Sequence, residues 1–110
     1  MSEEDVTVSE EGITMSVVRS HRYSVAHADL EEFLARRNSL IATVREGHPG
    51  LTHAVLVRFE DGTYTDTWHW ETAEQMDAAL AAIATFPEAP LAMALTKDGT
   101  VQNGHVVDEH

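Results

Sequence analysis

Residues 51–70 read LTHAVLVRFEDGTYTDTWHW, and this stretch decides the fold. Its two halves, Leu51 to Phe59 and Thr63 to Trp70, are rich in the β-branched and aromatic residues that are typical of strands. The intervening segment ends in Gly62, and glycine accepts the positive φ that a tight turn requires. We therefore predict an antiparallel hairpin.

The segment before the hairpin predicts a strand and then a helix. Side chains alternate with a period of two from about Met15 to Val25, which indicates a strand. Apolar residues then recur every three or four positions from Leu30 to Val44, the stripe of an amphipathic helix. Asp29 followed by Glu32 resembles a capping box and predicts where this helix begins. Glycine and proline in the GHPG segment predict its end.

The segment after the hairpin predicts two helices and a last strand. Thr72 and Gln75 form a capping-box signature, and the apolar stripe that follows runs to Ile83. Pro90 fits the first turn of a short helix over residues 91–95, because proline lacks only a donor that would have no partner there. Residues 101–107 are predicted to form the final strand.

The element order β-α-β-β-α-(α)-β is the split βαβ, or ferredoxin-like, pattern of an α+β domain. It predicts a four-stranded antiparallel sheet with its helices on one face. The bare face favours pairing with a second copy across a two-fold axis, which would give a homodimeric α/β barrel. Residues 1–11 carry five acidic side chains and are predicted to be a disordered arm, with residues 12–110 as a single domain.

Composition excludes several classes of partner. The chain has 7 Lys+Arg against 19 Asp+Glu, a formal charge of −12, so neither nucleic acid nor an anionic membrane surface is an expected partner. It has no cysteine, which excludes disulfides and thiolate metal sites. No apolar run reaches the roughly 18 residues of a membrane span. A cytoplasmic protein is the default expectation.

The run RYSVAHADLEEFLARRNSLIATVREGHPGLTHAVLVRFEDGTYTDTWHWETAEQMDAAL, residues 22–80, resembles the antibiotic biosynthesis monooxygenase family of dimeric α/β barrels. The recognisable parts are EEF at 31–33, PGL at 49–51 and WE at 70–71. The resemblance implies a cofactor-free enzyme that oxidises phenolic polyketide intermediates in a pocket between sheet and helices. A base would remove a phenolic or enolic proton, and the resulting anion would react directly with dioxygen.

One departure from the family bears on cofactors. Members of its haem-degrading branch carry a histidine on the second helix, at the position that Ala79 occupies here. The chain also lacks a phosphate-binding glycine loop and a pair of histidines at helical metal-site spacing. We therefore predict no cofactor and no metal.

Two of the seven histidines are the predicted bases. His21 and His53 each lie on a strand, on a face shared with apolar side chains, and imidazole titrates near neutral pH. Asn38, at the border of the first helix's apolar stripe, is the predicted donor to a substrate oxyanion. The alternatives are structural: histidines that close the rim of the sheet, and polar groups that point to solvent.

A set of aromatic and charged side chains is predicted to bind the substrate. Period-two alternation places four of them on one face of the third strand, and a tyrosine on the first strand and an arginine within the helical stripe join them: Tyr64, Asp66, Trp68, Trp70, Tyr23 and Arg37. Asp66 is expected to reach solvent or to pair with Arg58 or Arg19, because an unpaired carboxylate beside an indole is costly to bury. Aromatic pairs are equally common as packing within sheets.

Three functions remain open at this stage. The leading hypothesis is a cofactor-independent monooxygenase-like enzyme that acts on an aromatic or polyketide-type small molecule. A polyketide cyclase or isomerase would use the same base without oxygen. A non-catalytic barrel that binds a small ligand would need neither, and replacing its histidines would leave affinity nearly intact.

Overall fold

The computed structural model describes residues 16–110, so the acidic arm predicted for residues 1–11 lies outside the described residues. The predicted order of elements is confirmed from β1 onward. The elements are β1 (Val17–Val25), α1 (Leu30–Gly47), β2 (Leu51–Arg58), β3 (Tyr64–Trp70), α2 (Ala73–Ile83), α3 (Glu88–Met93) and β4 (Thr96–His105).

The four strands form one antiparallel sheet in the order β2-β3-β1-β4. The predicted hairpin joins β2 to β3, and Gly62 has the positive φ of 89° that its turn requires. The register pairs Tyr23 with Tyr64 and His21 with Asp66 in the centre of the sheet. This order and direction of strands confirm the predicted ferredoxin-like fold.

The helices cover one face of the sheet, which we call the covered face. One core cluster joins α1 and α2 to the sheet and comprises Leu40, Ile41, Val44, Leu51, Trp70, Met76 and Ala79. A second cluster lies near the other end of β1 and comprises Tyr23, Val25, Phe33 and Tyr64. The opposite, open face presents the apolar side chains Val55, Val57 and Phe59, each more than two-fifths exposed.

One of the two predicted helix caps is present in the structure. The Thr72 hydroxyl accepts a hydrogen bond from the backbone N–H of Gln75 at 3.1 Å, which confirms the cap of α2. The predicted cap of α1 is wrong. Asp29 ends a 3₁₀ turn over His27–Asp29 with helical backbone angles, so its side chain makes no capping bond.

The boundaries of the last two elements also differ from prediction. Helix α3 begins two residues before Pro90 and not at it, and β4 begins at Thr96 and not at Val101. Nearly every residue of β4 is exposed because it is an edge strand, so its sequence carries no alternating apolar pattern. Among residues 16–110, no helix is long and apolar enough to cross a membrane.

Candidate functional site

A cavity of about 470 Å³ lies between the covered face of the sheet and the three helices. This volume is within the range that accommodates small organic ligands. Its walls are mostly apolar, with a few charged and aromatic groups from the central strands. The lining residues are Arg19, His21, Tyr23, Phe33, Arg37, Leu40, Asp66, Trp68, Leu80, Ile83, Ala84, Ala89, Pro90, Ala92 and Met93.

Asp66 on β3 is the centre of a buried polar network in the cavity wall. Arg37 from α1 donates to both carboxylate oxygens, from Nε to Oδ2 at 2.9 Å and from Nη2 to Oδ1 at 2.8 Å. The Tyr23 hydroxyl donates to Oδ2 at 2.7 Å, and the Trp68 indole N–H donates to Oδ1 at 3.0 Å. The carboxylate therefore accepts four hydrogen bonds and carries a bidentate ion pair.

This network fixes the protonation of its members. Burial raises the pKa of Tyr23 far above its usual range, and the adjacent Asp66 charge adds to that effect. Burial acts to lower the pKa of Arg37, but its hydrogen bonds to Asp66 outweigh that effect and raise it. Tyr23 thus remains a hydrogen-bond donor and Arg37 a cation at any pH of interest, and neither is a proton acceptor.

His21 has the opposite character. It lies two residues before Tyr23 on β1, lines the cavity and is partly buried. Burial and the positive charge of Arg19 lower the pKa of His21 below 6.5, and they outweigh the opposing effect of Asp66. Its imidazole is therefore neutral at neutral pH and available to accept a proton.

Five of the nine side chains predicted for the site line the cavity: His21, Tyr23, Arg37, Asp66 and Trp68. The partner predicted for Asp66 is corrected, because Arg37 binds it and neither Arg58 nor Arg19 does. The partner is on a different element, 29 residues away along the chain. Arg37 accordingly points inward and does not extend to solvent.

Two predicted catalytic residues do not reach the cavity. His53 is exposed on the open face of the sheet, where its ring lies 5.8 Å from that of His69, centroid to centroid. The sequence predicted that His53 shares a face with apolar side chains of its strand, and it does, but that face points away from the cavity. The register shift of β2 between Leu51 and His53 separates His53 from Leu51, which packs against the helices. Asn38 is exposed on α1 and does not line the cavity, so its predicted contact with a substrate oxyanion has no support.

Two predicted substrate-binding residues are core residues. Trp70 is fully buried in the cluster between α1 and α2 and does not line the cavity. Tyr64 is buried against Tyr23, with the two rings stacked at a centroid distance of 6.4 Å. All four of the predicted β3 side chains do face the helices, but those at the two ends of the strand lie in the clusters that close the cavity.

Sequence reasoning missed part of the lining. Arg19 shares the alternation of His21 and Tyr23, and that signal was sufficient to place it. The apolar lining from α2, α3 and their connection carried no comparable signal, because it depends on how far these helices lie above the sheet. Among the residues that the structure describes, no three His, Asp or Glu side chains converge closely enough to hold a metal ion.

No family model matches the sequence, and no curated protein matches it either. Solved structures do match in three dimensions. A variant of SnoaB, a cofactor-independent oxygenase from Streptomyces nogalater, superposes with a TM-score of 0.64 at 24% identity, over 86% of this chain and 94% of that chain. The chain has the fold of this oxygenase.

Two further structures have the same fold. A protein from Caulobacter crescentus, provisionally assigned as an antibiotic biosynthesis monooxygenase, gives a TM-score of 0.64 at 19% identity over 87% of this chain and 93% of that one. A dimeric ferredoxin-like protein from an uncultured marine organism gives 0.63 at 12% identity over 93% and 96%. The resemblance seen in the sequence is therefore confirmed at the level of the fold.

Proposed function

We propose that the chain is a cofactor-independent oxygenase that acts on an aromatic, polyketide-type small molecule in the cavity, with His21 as the base. The observation that carries the proposal is a partly buried histidine in the wall of a largely apolar cavity of about 470 Å³, where burial and Arg19 lower the pKa of its imidazole. The fold shared with a cofactor-independent oxygenase supports the same reaction class.

His21 is the proton acceptor in this proposal because the other polar groups are committed to one another. Tyr23, Arg37 and Trp68 all donate to Asp66, which leaves that carboxylate saturated. A neutral imidazole near its own pKa is well matched to removing a phenolic or enolic proton. The apolar walls keep water from the anion that results.

Dioxygen is the oxidant, and the reaction balances without a further reductant. With an anthrone as substrate, His21 takes one proton from the activated CH₂ group and leaves an electron-rich enolate. The enolate adds dioxygen to give a peroxide anion, which takes up a proton to become a hydroperoxide and then loses water. One oxygen atom remains as the new carbonyl and the other leaves as water.

Oxygen uptake tests this proposal. Metal-stripped protein should consume one dioxygen per anthrone oxidised, as measured with an oxygen electrode and by product absorbance. The rate should increase with pH through a limb that lies below 6.5 and then level off, because the lowered pKa of His21 keeps its imidazole neutral there. Anaerobic turnover of the same substrate, or no uptake with a panel of anthrones and hydroquinones, would contradict the proposal.

We further propose that the enzyme is a homodimer that pairs through the open face. Val55, Val57 and Phe59 expose apolar surface side by side on that face, and an uncovered sheet face of this kind is usually buried by a partner. The dimeric state of a ferredoxin-like neighbour supports this assembly.

Light scattering should return twice the chain mass of 12.1 kDa. Val57→Asp should shift the protein toward monomer because it buries an unpaired charge in the interface. The matched control is Leu91→Asp, since Leu91 is 54% exposed but lies on α3, in the other layer. A wild-type monomer, or equal effects of the two variants, would contradict the dimer.

A further inference from the structure

The charges of the side chains that line the cavity do not sum to zero. Arg37 and Asp66 neutralise one another in their bidentate pair, and His21 is neutral near pH 7. Arg19 then leaves the cavity with a net positive charge, in a chain whose formal charge is −12. A cation retained in an apolar cavity of an acidic protein is a feature of anion recognition.

Arg19 also has N–H donors that bind no described residue. Its Nη1 donates to the side-chain oxygen of Asn103 on β4 at 3.0 Å, and no carboxylate among residues 16–110 forms an ion pair with it. Asn103 is its direct neighbour across the β1–β4 pair, so this bond orients the guanidinium and leaves its charge uncompensated. The Nε–Nη2 edge is the one that Arg37 uses on Asp66, and in Arg19 no described residue occupies it.

We propose that Arg19 makes the site selective for an aromatic substrate that carries a carboxylate, which binds the Nε–Nη2 edge. This inference rests on the proposed function in one respect, that the cavity is the substrate site. Arg19 and His21 are two residues apart on the same face of β1, a separation of about 7 Å along a strand.

Two probes that share the naphthalene ring and do not react with dioxygen under assay conditions test the proposal, 2-naphthoate and the uncharged 2-naphthalenemethanol. Isothermal titration calorimetry should show that the wild-type protein binds the carboxylate about tenfold or more tightly than the alcohol, as expected for a charge-assisted bidentate pair. Arg19→Gln should bring this ratio close to one. Arg19→Lys keeps the charge without the planar fork and should give an intermediate ratio.

Arg58→Gln is the matched control, because Arg58 is an exposed strand arginine that does not line the cavity. It removes the same charge from the protein and should leave the ratio unchanged. Equal affinity for the two probes, a ratio that Arg19→Gln leaves intact, or no binding of either probe overturns the proposal. Because neither probe reacts with dioxygen, a failed oxygenase assay leaves this result unaffected, so the two proposals fail separately.

Discussion

Asp66→Asn is expected to lower the free energy of unfolding by about 3–5 kcal/mol, the usual cost of removing one partner from a buried ion pair. The substitution preserves size, removes the charge and replaces one of the two acceptor oxygens with an NH₂ donor. The guanidinium of Arg37, whose side chain is 10% exposed, would remain buried without a counter-ion. Urea denaturation followed by circular dichroism measures the loss.

The matched control is Glu32→Gln, which removes the carboxylate of the exposed ion pair between Glu32 and Arg36 on α1. That pair spans one helical turn at the surface, so its loss should cost only about 0.3–0.5 kcal/mol. A second variant, Arg37→Met in the Asp66→Asn background, removes both charges. The amide oxygen can then accept from the Trp68 indole, and the amide NH₂ can donate to the Tyr23 hydroxyl, which also accepts hydrogen bonds. This double variant should recover most of the stability lost by Asp66→Asn alone. Additive losses would show that burial of an unpaired charge is not the cause.

The ferredoxin-like fold was predictable because its signals are local. The turn at Gly62, the cap at Thr72 and the apolar stripes of α1 and α2 each depend on residues within a few positions of one another. One local signal, the predicted cap at Asp29, failed because the conformation of the preceding backbone is incompatible with it. Asp29 has a capping side chain, but the preceding 3₁₀ turn holds it in a helical conformation in which that side chain makes no cap.

The site was predictable only as far as strand alternation extends. Alternation correctly grouped His21 with Tyr23 on β1 and Asp66 with Trp68 on β3, and the register of the two strands brings both pairs to the cavity. On β2, alternation correctly grouped His53 with Val55 and Val57, but it left open which face of the sheet they occupy. The register shift after Leu51 places His53 and the buried Leu51 on opposite faces, so the burial of Leu51 gives no guide to the position of His53.

Two features of the site depend on distances between the helices and the sheet, which the spacing of residues in the sequence does not predict. Trp68 and Trp70 have the same orientation on β3, yet only Trp68 borders the cavity, because α1 and α2 close over Trp70. The pairing of Arg37 with Asp66 requires the separation between α1 and the sheet. Such a pair can be suspected from the sequence when a charged residue interrupts the apolar stripe of a helix and an acidic residue lies among the aromatic residues of a strand.

His21→Gln is expected to lower the rate constant of oxygen consumption by about 10²–10⁴-fold, the usual contribution of a positioned base. Glutamine retains hydrogen-bonding groups of similar reach but does not take up a proton. Binding should change little, so the loss should appear in kcat with KM nearly constant, as measured with an oxygen electrode over a range of anthrone concentrations.

Two other histidines show whether this loss is specific. His27→Gln is the matched control, since His27 is exposed in the 3₁₀ turn before α1. His53→Gln tests the other candidate base, and it should behave as His27→Gln does because its ring is on the open face, with the sheet between it and the cavity. A variant lacking His21 that turns over as fast as these two would rule out His21 as the base. Because Tyr23 is held protonated and Asp66 is saturated by four donors, no other described side chain of this cavity could then take its place, and the base would have to be the substrate's own anion or water.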